Sequence, residues 1–205
     1  MSTKKIVCLV GPSGAGKSTI ANLLTEVQNV RYISLSTKVR EYVAQLGIKS
    51  PTRADLQIHA NSLRREKGNG IFAQMVVDSL VNDNTCGVML VDGVRHPNEI
   101  EILKSSEIST FVLGVTSDQR RRFERVLQRQ RPSDPKTWEE FLECDRRENG
   151  EEGQEHQQEN AKCLEMADFT IINDGKLSEL YSQLVDFVEK VHEGKLIQEL
   201  KQKVQ

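Results

Sequence analysis

Cysteine, proline and aromatic residues are all scarce in this 205-residue chain: four Cys, five Pro, one Trp, and 5% Phe, Trp and Tyr combined. Cys8, Cys86, Cys144 and Cys163 show no C-x-x-C spacing, which argues against both a zinc site and a disulfide framework and is expected of a reduced protein. His59, His96, His156 and His192 lack paired ligand spacing too, so all four read as ordinary surface or helix residues. Long apolar runs are missing as well. None approaches the roughly 18 residues of a membrane span, and only five apolar residues follow Met1-Ser2-Thr3-Lys4-Lys5 before a glycine-rich loop, too few for the core of a signal peptide. Neither sign of charge dominates. Lys plus Arg number 28 against 30 Asp plus Glu, a net charge of −2, which excludes an overall basic coat for nucleic acid and leaves room only for a local basic patch. The expectation is a soluble, cytoplasmic, globular protein of one domain, with no membrane partner and nucleic acid disfavoured.

What is present is an alternation of short apolar runs with amphipathic stretches, the pattern of a parallel sheet covered by helices. Ile6-Val7-Cys8-Leu9-Val10 reads as a strand buried on both faces, with Cys8 a small core residue. Further strands are expected at Val30–Ser34, Val88–Val91, Thr110–Val115 and Phe169–Ile172, which makes five in all. The clearest helices are expected over Lys17–Val27, Thr52–Lys67, Ile71–Val81, Ser117–Gln130, Trp138–Asn149 and Leu177–His192. The last carries Leu177, Leu180, Leu184, Phe187, Val188 and Val191 as a core-facing stripe. No internal repeat is visible. From Glu143 to Asn160 there are seven acidic residues and hardly an apolar side chain, so this segment is expected to stay out of the core as an exposed helix pair, a loop or a lid. Trp138 and Phe141, three apart in polar surroundings, read as its local hydrophobic anchor.

The chemistry is carried by Gly11-Pro12-Ser13-Gly14-Ala15-Gly16-Lys17-Ser18-Thr19, which fits G-x-x-x-x-G-K-[ST] between the first strand and the first helix. Glycines let successive backbone N–H groups converge on one concavity, and the helix N-terminus adds partial positive charge there. That concavity suits a polyphosphate. Lys17 would reach the β- and γ-phosphates of ATP and Ser18 would ligate Mg²⁺. A chance match in a chain of this length has odds of roughly 1%. Asp92, where the third strand ends, is the second Mg²⁺-organising group expected. Arg40 and Arg95 follow the second and third strands, while Arg120, Arg121, Arg122, Arg125, Arg129 and Arg131 crowd one helix in which only Glu124 offsets them. Such a self-repelling group suggests a bound anion. Arg64 and Arg65 are further candidates for gripping an anionic acceptor.

At these residues the chain resembles the adenylate-kinase-like P-loop kinases, and most of all a branch known from archaea as nucleotide-kinase-like or dephospho-coenzyme-A-kinase-like. The resembling segments are the P-loop, Ile33 to Arg40, Val91-Asp92-Gly93-Val94-Arg95, Arg125-Val126-Leu127-Gln128-Arg129, Arg131 to Phe141 and Ala167 to Gly175. The Asp-Gly-x-Arg spacing is one residue shorter than in adenylate kinases, and the zinc-binding lid cysteines of some members are absent. The resemblance implies a three-layer α/β/α P-loop fold with a five-stranded parallel sheet, a helical acceptor-binding region and a mobile lid. It places the core at about residues 1–34, 86–116 and 168–192, the acceptor-binding helices at about 35–85 and the lid at about 117–166. It implies catalytic roles for Lys17, Arg40, Arg95, Arg125 and Arg129, with one of the last two stacking on the donor base. ATP would be bound by Gly11, Ser13, Gly14, Ala15, Gly16, Lys17, Ser18, Thr19, Arg125, Asn173 and Gly175, the last two lying against the adenine, and Mg²⁺ by Ser18 and Asp92. The expected reaction moves the γ-phosphoryl group of ATP to a nucleoside monophosphate or related small acceptor, with dephospho-coenzyme A or a deoxynucleotide as the alternative. An ATP-dependent switch and a nucleic-acid-associated P-loop protein are the readings from other classes.

Overall fold

A computed structural model describes residues 4–27, 29–81, 87–131, 134–151 and 158–191. Cys86, Pro132, Ser133, His156 and His192, and with them the middle of the acidic segment, lie outside the described residues. The strands are β1 (Lys5–Val10), β2 (Val30–Ser34), β3 (Val88–Asp92), β4 (Ser109–Thr116) and β5 (Phe169–Ile172). The helices are α1 (Lys17–Thr25), α2 (Leu35–Gln45), α3 (Arg53–Lys67), α4 (Ile71–Val81), α5 (Pro97–Ser105), α6 (Gln119–Arg129), α7 (Trp138–Asn149), α8 (Asn160–Glu165) and α9 (Leu177–Lys190).

The five strands form one sheet in the order β2-β3-β1-β4-β5, and every pairing is parallel. The first strand is central, so its alternating side chains feed two cores. Val7 and Leu9 point to one face, where α1 and α9 supply Ile20, Leu24, Leu184 and Phe187. Ile6, Cys8 and Val10 point to the other, against Leu35 of α2, Leu63 of α3, Phe72 and Val76 of α4, and Ile100 of α5. Each such large side chain contributes about 1.5–3 kcal/mol on burial. The result is the expected three-layer α/β/α architecture with a five-stranded parallel sheet.

Helices α2, α5 and α8 add to the clearest expectations. The fifth is hard to see in sequence because it is short, but its opening is firmly specified. Pro97 occupies its first turn, the His96 ring accepts from the Asn98 amide, and the Glu99 carboxylate accepts from the His96 amide. The sixth helix begins at Gln119 rather than Ser117, because Asp118 caps it by accepting from the Arg120 and Arg121 amides. The acidic segment does contribute buried residues, contrary to expectation: Asp145 is 4% exposed and Asn160 is buried as well. The reason for Asp145 is an ion pair with Arg122, described below. Phe123, Trp138 and Phe141 pack their rings at 5.4–5.6 Å between centroids and join α6 to α7. The aromatic anchor is therefore as expected.

Candidate active site

Parallel sheets bind ligands in the crevice beyond their carboxyl strand ends, and the motif residues gather there. Gly11–Gly16 leaves the end of β1 and opens α1 with neither a capping side chain nor an acidic residue in the first turn. The Thr19 amide turns back to the Gly16 carbonyl at 3.0 Å, and no first-turn carboxylate competes for the amides before it. Gly14 has a φ of +78°, and a Cβ there would press on the Arg122 backbone; Gly16 caps α1 at +107° beside the Asn173 side chain. Both positions require glycine.

Lys17 curls back over the loop, its ammonium donating to the Gly11 carbonyl at 2.6 Å and the Pro12 carbonyl at 2.9 Å. Burial pulls its pKa down to about 8, assisted by Arg95 and Arg129 and opposed by Asp92 and Glu148. Those four charged groups are therefore the electrostatic neighbours of the ammonium. Asp92, the last residue of β3, accepts from the Tyr32 hydroxyl at 2.9 Å through Oδ2, whereas its Oδ1 is buried without a hydrogen-bond partner. Burial and the Asp92 charge push the Tyr32 phenol up to about 12. Ser18 and Thr19 are exposed on the first turn of α1. No cluster of three or more His, Cys, Asp or Glu that could hold a metal exists among the described residues. A hard cation here would take Ser18, Asp92 and ligand oxygens instead. The orphaned Asp92 Oδ1 fits that requirement, since oxygen donors suit Mg²⁺.

The arginines of α6 brace the outside of the loop. Arg122 is buried and makes a bidentate pair with Asp145 at 2.6 and 2.7 Å, while also donating to the Ser117 and Ser13 carbonyls. Arg125 donates to the Gly14 carbonyl, the Ser117 hydroxyl and the Asn173 carbonyl. Arg129 forks onto Asp134 at 2.6 and 2.7 Å and donates to the Ser13 hydroxyl at 3.1 Å. Arg120 lies over the Trp138 ring at 3.9 Å. The self-repulsion inferred from sequence is thus offset by Asp134 and Asp145, acids from outside the helix, so it does not itself require an anionic ligand. Asn173 donates to the Ala15 carbonyl at 2.9 Å and so ties the turn after β5 to the loop. Gly175 is exposed farther along that turn, close to the Glu179 carboxylate.

On the acceptor side the picture divides. Arg95 donates to Gln158 at 2.8 Å and lies 4.0 Å from Glu148 of α7. Its backbone amide is held by Glu99, a carboxylate only 1% exposed, which also receives the His96 amide and faces Arg64 at 3.7 Å. Burial pushes the Glu99 carboxyl up, against the pull of Arg64 and the two amides. Arg64 is thereby committed to Glu99. Arg65 is exposed and donates to the Asn61 carbonyl, and Arg40 is exposed on α2, with no described contact to Lys17 or Asp92. His96, at its capping position, also meets the Asn69 amide at 3.1 Å, a more specific role than that of an ordinary surface histidine. Tyr32, Glu99, Gln119 and Asp145 escaped the sequence reading. Only Glu99 had a usable signal, its place three residues after a capping position.

A family model described as an AAA domain matches residues 7–155. A UPF0200 protein of Pyrococcus furiosus is 32% identical over 199 residues, spanning 93% of this chain and all of the relative. The chain belongs to the UPF0200 family. A second member, from Hyperthermus butylicus, is 30% identical over 178 residues, covering 87% of this chain and 90% of its own length. Among solved structures, the Thermus thermophilus protein TT1252 matches with a TM-score of 0.59 at 17% identity, covering 92% of this chain and 98% of that one. Shikimate kinase from Acinetobacter baumannii, solved with shikimate, gives 0.54 at 14% identity, covering 95% and 96%. These structural likenesses establish a P-loop kinase-like fold. The resemblance to P-loop kinases therefore stands at that level, and the relatives carry the name UPF0200 rather than that of a particular kinase. No helix among the described residues is long and apolar enough to cross a membrane.

Proposed function

We propose that the protein transfers the γ-phosphoryl group of ATP to a nucleoside monophosphate or a related small phosphate-bearing acceptor. The observation that carries this reading is the phosphate-binding loop with its Lys17 ammonium, which feels the charges of both Arg95 and Asp92, the latter with an unpaired oxygen. Gly11 to Thr19 would cradle the phosphates, with the first-turn amides of α1 donating to them. Lys17 would exchange the Gly11 and Pro12 carbonyls for β- and γ-phosphate oxygens. Ser18 and Asp92 would hold Mg²⁺, which when bound supplies charge neutralisation and orients the phosphates. Arg125 and Arg129 would act from the base of the lid and Asn173 and Gly175 beside the adenine, while Arg40 and Arg95 would grip the acceptor.

The step forms a bond from an acceptor phosphate oxygen to the γ-phosphorus and breaks the bond from that phosphorus to the bridging oxygen, and ADP leaves. The nucleophile is already anionic, so no strong general base is needed. Rate comes from alignment and from offsetting charge. Closure of the segment from about residue 131 to 160, bringing Arg146 or Arg147 toward the transferring group, would keep water from taking the acceptor's place.

The deciding experiment measures ADP release from MgATP against all ribo- and deoxynucleoside monophosphates, dephospho-coenzyme A and a set of small phosphorylatable metabolites. Stimulation by a nucleotide acceptor is the expected result. Release unaffected by every acceptor, together with tight ATP binding, would replace the kinase reading by that of an ATP-dependent switch.

A further inference from the structure

The two oxygens of Asp92 have different surroundings, and the difference is created by a residue outside the motif. Oδ2 receives the Tyr32 hydroxyl at 2.9 Å, whereas Oδ1 is buried with no partner. Tyr32 lies on β2, an edge strand, two residues before Ser34, which is the residue opposite Asp92 in the register. Ser34 does not serve the carboxylate: its hydroxyl meets the Ser36 hydroxyl at 2.9 Å and accepts from the Ser36 amide. Core packing does not explain the placement of Tyr32 either, because 47% of it is exposed. The hydrogen bond from its hydroxyl to Asp92 is what ties it to the site.

A carboxylate is a two-fold rotor whose oxygens exchange when it turns about its terminal torsion. A donor fixed on one oxygen removes that freedom and leaves the other as a defined acceptor. Carboxylates that serve metals are commonly held in this way by an outer hydrogen-bond partner, and loss of such a partner weakens metal binding by about 10- to 100-fold. We propose that Tyr32 is a positioning residue for Mg²⁺: its hydroxyl holds Asp92 Oδ2, so that Oδ1 is kept free and oriented for the metal or its water. The proposal rests on the reading of Ser18 and Asp92 as the metal-holding pair. It adds a residue that no part of the P-loop pattern specifies.

The test reads binding rather than turnover. ATP affinity is measured calorimetrically across a Mg²⁺ titration, and again in EDTA, for the wild type, Tyr32→Phe and Asp92→Asn. The phenylalanine variant deletes one hydroxyl from a half-exposed side chain, so its thermal midpoint should match the wild type. The proposal expects Tyr32→Phe to raise the half-saturating Mg²⁺ concentration about tenfold, toward the Asp92→Asn value, with ATP affinity in EDTA unchanged. An unchanged Mg²⁺ requirement in Tyr32→Phe, beside a raised one in Asp92→Asn, would overturn the role of Tyr32 and leave the metal pair standing. Equal weakening with and without Mg²⁺ would overturn it too, by showing that Tyr32 acts on the loop and not on the metal. A wild type whose ATP affinity ignores Mg²⁺ would remove the metal reading, and the proposal with it.

Discussion

Asp145→Ala should be among the most damaging single substitutions outside the loop. The carboxylate accepts both arms of Arg122 at 2.6 and 2.7 Å and the Gln119 amide at 2.9 Å, and the side chains of the pair are 7% and 3% exposed. Removing it leaves a guanidinium inside the protein with no counter-charge. Breaking one side of such a buried pair costs about 3–5 kcal/mol. In a chain of this size 1 kcal/mol moves the midpoint by about 2–4 °C, so the expected loss is roughly 6–20 °C. The double variant Arg122→Met with Asp145→Leu should recover most of that stability, because apolar replacement of a whole buried pair is often neutral or better. It should still bind ATP more weakly than the wild type, since the Ser13 carbonyl loses its donor in Arg122. Urea unfolding of the wild type, the single and the double variant, each followed by nucleotide titration, measures both effects. A single-variant loss below about 1 kcal/mol, the range of an exposed pair, would refute the reasoning. So would a double variant no more stable than the single.

Lys17→Met should abolish phosphoryl transfer while leaving the fold intact, as read by product formation and circular dichroism. Because burial lowers the Lys17 ammonium to a pKa of about 8, kcat/KM for ATP should be full below that pH and fall as pH rises through it; Lys17→Arg should flatten that limb whatever its absolute rate. Burial raises the Asp145 carboxyl, but Arg122 and Gln119 more than offset it and hold the group below its usual range. Its contribution to stability is therefore present above the unfolded value of about 3.9 and lost only as pH falls through the depressed folded value, which acid unfolding of wild type against the double variant would show. Glu99→Ala frees the Arg95 amide and Arg64 together and should raise KM for the acceptor several-fold more than KM for ATP, a split that steady-state kinetics resolves. Arg95→Ala should likewise impair acceptor use rather than ATP binding.

Local signals carried most of the fold into view. An apolar run closed by glycine can hardly be other than a buried strand, and the loop after β1 declares itself by spacing alone. The carboxyl end of β3 was equally plain, because Asp92-Gly93 stops an apolar run. What stayed hidden was long-range pairing. Asp145 looked like one more acid in a polar stretch, yet its partner lies 23 positions earlier on another helix. Arg122, Arg125 and Arg129 looked like anion seekers because the sequence shows charges in a line, whereas the structure supplies carbonyls and acids from neighbouring turns. Tyr32 gave no sign at all: a tyrosine on a short strand is ordinary until the next strand ends in a carboxylate.

Placing the first strand at the centre of an all-parallel sheet has a consequence for synthesis. Lys5 is paired on one side with Val88 and on the other with Ser109, so β1 finds its second neighbour only once Ser109, 104 positions later, has been made. No hairpin can shield it in the meantime, since parallel strands require crossovers. At about 5–20 residues per second, Ile6 to Val10 must wait on the order of 5–20 s after their own synthesis. During that interval the nascent chain displays an adhesive apolar segment, so a ribosome stalled short of β4 would leave a product prone to clump or to occupy chaperones.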